Sequence, residues 1–193
     1  HPDKLLTNSG AQPGDMLIYT KPVGIGVLTA GIKGGLSDEE TRTFAEGLMM
    51  TLNKYARDIM VKYRVHACTD VTGFGMMGHL LEMAQGSEAE IHLDLSGITF
   101  IPQALELARL GVLPAGVYRN RHFAESWVEA GETELAVQDL LYDPQTSGGL
   151  MMAVHPEDAP ALLEALRRDD RVPAPQLVGR VEPYQGDKRI YLH

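Results

Sequence analysis

The chain has 193 residues, of which 17 are basic and 26 acidic, giving a formal net charge of -9 at pH 7. This charge offers nucleic-acid phosphates no general attraction and no basic cluster offsets it, which argues against a nucleic-acid-binding protein. Hydrophobic residues make up 44% of the chain, but no apolar run approaches the ~20 residues of a membrane span, which argues against a membrane protein. The length suits one compact domain.

The first half of the chain alternates between strand and helix patterns. Alternating apolar residues predict strands, and apolar residues three or four apart predict helices. Ser37 with Glu40 forms a capping box at the start of the longest predicted helix. In chain order the pattern predicts a strand at 15–20, a helix after two glycines that ends near 34–35, a long helix from 37 to about 63, a strand that ends at 70, and a Met- and Leu-rich helix beyond a glycine turn.

The second half continues with shorter elements. They are a strand at 90–95, a helix at 102–111, a loop at 114–120, a helix at 132–142, a strand at 150–154, a helix at 156–168, and two antiparallel strands at 176–182 and 188–192. Strands and helices mix without a repeating strand–helix–strand unit. We therefore expect an α+β fold, a mixed sheet layered with helices on one side, over residues 15–193, with residues 1–14 as a linker.

Residues 66–79, HACTDVTGFGMMGH, carry the strongest chemical signal. Asp70 ends a strand just before a glycine turn that opens a helix, and a helix start offers unpaired N–H groups to an anion such as phosphate. Gly73 lets the backbone approach a ligand, and Asp70 could hold a Mg²⁺ that accompanies the phosphate. The alternative is that Asp70 or Thr72 merely caps the helix.

Residues 143–149, DPQTSGG, form a second candidate anion site. The hydroxyls of Thr146 and Ser147 can donate to an anion, and Gly148 with Gly149 can adopt backbone angles that other residues avoid. The alternative is an ordinary turn from helix to strand, with Pro144 as the helix stopper.

Four further residues invite a functional reading that competes with a structural one. Lys21 could reach a phosphate or lie solvated on the surface, and Asn120 could be functional or serve its own loop. Cys68 lies in a strand-like stretch where a buried thiol is more common than a nucleophile. His79 fits a half-buried position better than a catalytic one. No zinc spacing is present, and the single cysteine allows no intrachain disulfide, which a reducing cytoplasm would permit.

Three stretches resemble signatures of the selenophosphate synthetase family, also called selenide, water dikinases. They are TKPVGIGVLTAGIK, HACTDVTGFGMMGHLLEMA and DPQTSGGLMMAV, in the order and spacing of the family. LGVLPAGVYRN at 110–120 and NSGAQPGD at 8–15 are also similar to family segments. The resemblance covers nearly the whole chain.

The resemblance implies the fold that this family shares with aminoimidazole ribonucleotide synthetase, in which ATP lies between an N-terminal and a C-terminal half. Family members convert ATP, selenide and water into selenophosphate, AMP and phosphate in the cytoplasm, and the full-length enzyme is expected to be a homodimer. The metal ligand implied is Asp70, for Mg²⁺. The implied phosphate- and nucleotide-binding residues are Thr72, Gly73, Thr146, Ser147 and Gly148.

The family's catalytic Cys or selenocysteine and its essential Lys belong to the N-terminal half, which this sequence lacks. We therefore expect no catalytic residue here and an isolated chain that is inactive. One alternative is another ATP-using enzyme of the superfamily, such as a purine-pathway synthetase, thiamine-monophosphate kinase or hydrogenase-maturation ATPase. The other is a non-catalytic regulatory domain that binds a partner half.

Overall fold

The computed structural model describes residues 5–193, in which one mixed sheet is layered with helices. The strands are β1 (Met16–Tyr19), β2 (Val65–Asp70), β3 (Ala89–Leu93), β4 (Val128–Glu129), β5 (Leu150–Val154), β6 (Gln176–Pro183) and β7 (Ile190–Leu192). The α-helices are α1 (Ile25–Lys33), α2 (Glu39–Met50), α3 (Lys54–Met60), α4 (Gly75–Gly86), α5 (Pro102–Arg109), α6 (Ala115–Ala124), α7 (Leu135–Tyr142) and α8 (Ala159–Arg167). The expected α+β fold is confirmed.

The strand order β2-β5-β1-β6-β3-β7-β4 decides which loops become neighbours. Strand β5 pairs antiparallel with both β1 and β2, while β7 runs parallel to β3 and β4. In the β2–β5 pair Asp70 lies opposite Leu150. The chain leaving β2 therefore emerges beside the chain entering β5.

The sheet is covered on both faces, so the expectation of helices on one side is wrong. On β1, Leu17 and Tyr19 join the larger core, which includes residues of α1, α4, α5 and α7. Ile18 between them joins a second core with residues of α3 and α8. Strand β5 is buried at every position. A continuously apolar strand such as LMMAV is typical of burial on both faces. This run is the feature of the sequence that indicates helices on the second face of the sheet.

The long helix expected from 37 to about 63 is two helices, α2 and α3. Thr51 takes an extended conformation (φ -69°, ψ 120°) and ends α2. The cap is Asp38 rather than Ser37, because its Oδ1 accepts the N–H of Thr41 at 2.8 Å. Phe44 within α2 and Leu52 between the two helices are both exposed.

Two other expectations about elements are wrong. Residues 114–120 are not a loop, since α6 begins directly after Pro114 and Gly116 packs against the ring of Pro144. The final strands β6 and β7 do not pair with each other, because β3 lies between them. In the 114–120 segment, proline and glycine serve helix initiation and close packing, although both residue types are also typical of loops.

Residues 7–14 lie along the sheet. The N–H of Cys68 donates to Thr7 O at 2.9 Å, and the N–H of Gly14 donates to Val181 O at 2.8 Å. Residues 1–4 of the predicted linker 1–14 lie outside the described residues. Within residues 5–193, no helix combines the length and apolar character required to cross a membrane.

Candidate functional site

The two segments singled out in the sequence are hydrogen-bonded to each other. The N–H of Val71 donates to Gly149 O at 2.9 Å, and the N–H of Gln145 donates to Thr72 O at 2.9 Å. We refer to residues 70–74 as the Asp70 loop and to residues 143–149 as the 143–149 turn. Their contact follows from the β2–β5 pairing and creates one surface from residues about 75 positions apart in the chain.

Four of the predicted site residues are exposed on this surface: Asp70, Gly73, Thr146 and Ser147. Thr72 is half-buried and Gly148 is buried. No hydrogen bond or ion pair joins the Asp70 carboxylate to a residue between 5 and 193, and the same holds for the hydroxyls of Thr146 and Ser147. These polar groups are therefore available to a ligand.

The alternative in which Asp70 or Thr72 caps the following helix is wrong. Helix α4 begins at Gly75 without a side-chain cap, and the hydroxyl oxygen of Thr72 lies 3.2 Å from Nε2 of the buried His79 instead. The first N–H groups of a helix have no intrahelical partner and lie at the positive end of its dipole. Helix α4 therefore starts without a side-chain cap five residues after Asp70 in the chain, and the N–H of Gly75 donates to Thr72 O at 3.1 Å.

The 143–149 turn is more than an ordinary connection between α7 and β5, because its buried side chains cap α1. Oδ2 of Asp143 accepts the N–H groups of Gly26 and Val27 at 2.8 and 3.1 Å. Oε1 of Gln145 accepts the N–H of Gly24 at 3.1 Å. Sequence reasoning missed both residues, since the partners of Asp143 lie 117 and 116 positions away and leave no local pattern.

The glycines of the site have different roles. A Cβ on Gly148 would overlap the carbonyl oxygen of Val71, so this glycine is required for the turn to meet the Asp70 loop. Gly75 has φ +69°, and a Cβ there would lie 2.8 Å from Tyr142 O. Gly73 has neither constraint, because no atom of residues 5–193 lies within 4 Å of its Cβ position. The fold of the described residues does not explain a glycine at position 73.

Asn120 holds the Asp70 loop in place. It lies on α6 with 6% of its surface exposed, and its Nδ2 donates to Gly73 O and to Tyr142 O, each at 2.9 Å. The amide therefore ties the loop to the end of α7. The interpretation as a polar residue serving its own loop is wrong, because Asn120 connects two other segments.

Lys21 is neither a surface residue nor free to reach a phosphate. It is 2% exposed, and its Nζ donates to the carbonyl oxygens of Leu48, Thr51 and Ser147 at 3.0, 2.8 and 2.6 Å. Burial lowers the pKa of this ammonium group. Sequence alone could not place Lys21, because its acceptors are backbone atoms of distant segments.

The structural interpretation of Cys68 and His79 is supported. Sγ of Cys68 lies 3.8 Å from Sδ of Met60, and burial raises the pKa of the thiol to about 12. A thiol that resists ionisation is a poor nucleophile. His79 is 8% exposed within α4, as expected for a packed histidine.

The groups exposed on this surface, one carboxylate and two hydroxyls, could bind an anion and supply one ligand to a metal ion. Residues 5–193 contain no group of three or more His, Cys, Asp or Glu side chains that could hold a metal ion. Proteins commonly bind Mg²⁺ through one or two carboxylates together with substrate phosphates and water. Asp70 fits that donor set as a single ligand, whereas a metal held by this domain alone does not fit.

Comparison with known proteins agrees with the fold and with the signature stretches. The family model for the C-terminal domain of AIR synthase related proteins matches residues 12–191. A curated selenide, water dikinase of Clostridioides difficile (strain 630) is 43% identical over 190 residues, covering 98% of this chain and 54% of that protein. One of Treponema denticola is 48% identical over 166 residues, covering 86% and 47%. The chain spans about half the length of these curated relatives.

A solved structure gives the same fold at low identity. The hydrogenase maturation protein HypE in complex with ATP superimposes with a TM-score of 0.66 at 16% identity, over 98% of this chain and 50% of that one. At this identity the likeness concerns the fold alone. The predicted resemblance to selenide, water dikinases is confirmed by the sequence matches, and the predicted fold relationship by the family model and this superposition.

The contrast between the glycines predicts different costs of substitution. We expect Gly148→Ala to lower the free energy of unfolding by about 2 kcal/mol or more, because the new methyl group must displace backbone. Gly73→Ala should change it by less than about 0.5 kcal/mol, since the position is open. Urea unfolding of both variants measures the difference. Equal losses would contradict the described contact between the turn and the loop.

The buried carboxyl of Asp143 leads us to expect a specific pH dependence of the free energy of unfolding. Burial raises the pKa of its carboxyl to about 7, opposed by hydrogen bonds from Val27 and Gly26, against about 3.9 in an unfolded chain. The folded state then binds the proton more tightly, so the contribution is fully present below pH 4 and is lost as pH rises through 7. Relative to Asp143→Asn, the parent's free energy of unfolding should fall by at most about 1.4 kcal/mol per pH unit between these values.

Asp38→Asn provides a control of opposite sign. Hydrogen bonds from Thr41 lower the pKa of the Asp38 carboxyl, so its stabilisation is present above the unfolded pKa and is lost as pH falls. Urea unfolding between pH 3 and 8 measures both differences. A parent-minus-Asp143→Asn difference that is flat or rises over this range would show that the buried carboxyl is ionised throughout.

Proposed function

The chain belongs to the AIR synthase related protein, C-terminal domain family, and from this we propose that it forms the C-terminal half of an enzyme that makes selenophosphate from selenide, ATP and water, releasing AMP and phosphate. The observation that carries the proposal is the 43% identity to a curated selenide, water dikinase across 98% of the chain. Another ATP-using enzyme of the superfamily is not favoured, since the HypE likeness falls to 16% identity.

In this proposal Asp70 supplies one ligand to a Mg²⁺ that accompanies ATP. Support comes from the exposure of Asp70 and from the lack of any partner for it within residues 5–193. When bound, Mg²⁺ would neutralise charge on the polyphosphate. Helix α4 begins five residues after Asp70 in the chain, and the positive end of its dipole also favours an anion.

Phosphate and nucleotide binding is assigned to the Asp70 loop and the 143–149 turn. Gly73 offers open backbone to a phosphate, and the hydroxyls of Thr146 and Ser147 donate hydrogen bonds to its oxygens. Thr72 lines the loop beside them. Gly148 contributes by allowing the turn to contact the loop. Donors fixed in advance stabilise developing charge without reorganising, which is how a phosphoryl-transfer site gains most of its rate.

In this proposal the domain binds and orients the substrate phosphates, and it does not supply the nucleophile. The thiol of Cys68 has a raised pKa and lies packed against Met60, and we assign no catalytic residue among residues 5–193. The nucleophile and further metal ligands would come from an N-terminal half, for which the curated relatives have sufficient length. We further propose a homodimeric, cytoplasmic enzyme, and a chain that is inactive when isolated.

The proposal is tested by Asp70→Asn in the complete enzyme, assayed for selenophosphate formation. The amide keeps the shape of the carboxylate and loses its charge, so kcat/KM for Mg-ATP should fall by at least about 100-fold. The fold should be unchanged, because Asp70 is exposed and its carboxylate forms no hydrogen bond or ion pair with residues 5–193.

Asp187→Asn is the matched control, since this aspartate is exposed in the connection between β6 and β7. It should retain activity within about twofold, as expected for a surface change away from the site. A parent enzyme that forms no selenophosphate would refute the proposed reaction. An active parent with an equally active Asp70→Asn variant would refute only the role of Asp70.

A further inference from the structure

Lys21 is the only buried lysine among residues 5–193. Its ammonium group is bonded to backbone carbonyl oxygens rather than to a carboxylate. Burying a charged group is unfavourable unless its hydrogen-bonding capacity is filled, so its partners indicate which contacts the buried charge maintains. Three N–H donors meet three acceptors here, which leaves the ammonium group fully bonded.

Two of the acceptors belong to the end of α2. Nζ lies 3.0 Å from Leu48 O in the last turn and 2.8 Å from Thr51 O directly after the helix. The last carbonyl groups of a helix have no intrahelical partner and form the negative end of its dipole. The ammonium group therefore fixes the end of α2. Its hydrogen bonds to these carbonyl oxygens offset part of the free-energy cost of removing the charge from water.

The third acceptor is the carbonyl oxygen of Ser147, 2.6 Å from Nζ. Ser147 has φ +55°, a left-handed conformation that residues other than glycine rarely adopt. Such a conformation persists where surrounding contacts hold it, and it occurs preferentially at functional sites. A second hydrogen bond holds the turn next to Ser147: Nδ2 of Asn53, which directly precedes α3, donates to Gly148 O at 2.8 Å.

We propose that Lys21 is a positioning residue that, through the carbonyl oxygen of Ser147, holds the exposed hydroxyls of Thr146 and Ser147 in the orientation that receives the phosphate of the substrate. The inference rests on the proposed function and assigns Lys21 no contact with substrate. Its side chain lies beneath the turn and connects it to the end of α2.

The geometry selects lysine among the basic residues. A compact ammonium group directs three donors towards three separate carbonyl groups, whereas the planar guanidinium of arginine suits a carboxylate or phosphate. Methionine has comparable length and fills the same buried space without any donor. Lys21→Met therefore removes the three hydrogen bonds with little change in packing volume.

The test is selenophosphate formation by the complete enzyme carrying Lys21→Met, with kcat expressed per folded molecule. Misplaced donors lose contacts made to the transferring group, so kcat should fall by at least about tenfold. KM for ATP should change by less than about threefold, because ground-state binding uses other groups as well. A purely structural role would reduce the folded fraction and leave both constants of the folded enzyme unchanged.

Two further variants control for stability. Leu162→Ala removes a fully buried side chain of α8 in the second core, on the other face of the sheet, and should leave kcat per folded molecule within about twofold. Asn53→Ala removes the neighbouring bond to Gly148 without a buried charge and should lower kcat by about threefold. If Lys21→Met fails to fold, the kcat per folded molecule of Asn53→Ala provides the test.

Hydrogen exchange in residues 145–149 separates the two proposals. Loss of the Lys21 bond should accelerate exchange there, whether or not the enzyme has the proposed activity. Unchanged exchange in Lys21→Met, or an unchanged kcat per folded molecule in both Lys21→Met and Asn53→Ala, would overturn the positioning role. An inactive parent enzyme with accelerated exchange in Lys21→Met would refute the proposed reaction and overturn the catalytic consequence of positioning.

Discussion

The arrangement of this domain depends on the buried hydrogen bonds of the 143–149 turn. Asp143 and Gln145 cap α1 from outside that helix, and the backbone of the same turn bonds to Val71 and Thr72. Seven residues thus join the start of α1 and the end of β2 to the entry into β5. Each of these groups would be left unsatisfied in a low-dielectric interior if the turn moved, which makes its position highly determined.

The turn divides its polar groups between structure and surface. The side chains of Asp143 and Gln145 are buried and bonded, while the hydroxyls of Thr146 and Ser147 are exposed without partners in residues 5–193. The Asp70 loop shows the same division, with its backbone held by Asn120 and its carboxylate exposed. A rigid backbone that presents free donors and one free carboxylate is suited to an anion with its metal ion.

Local patterns predicted much of the fold and the outline of the site. The apolar run of β5 and the glycine turn after Asp70 both lie where the sequence placed them. The contacts that make the site rigid could not be predicted, because Lys21, Asp143 and Asn120 bind backbone atoms in distant segments. The break after α2 was missed for the same reason: the carbonyl groups at its end bond to Lys21, and no glycine or proline marks the position.

The most direct measurement is a crystal structure of the complete protein with Mg²⁺ and a non-hydrolysable ATP analogue. We expect a carboxylate oxygen of Asp70 at ~2.1 Å from the metal, and phosphate oxygens within hydrogen-bonding distance of the Gly73 backbone and the Ser147 hydroxyl. A nucleotide bound elsewhere, with the Asp70 carboxylate distant from any cation, would contradict the assignment of this surface as the phosphate site.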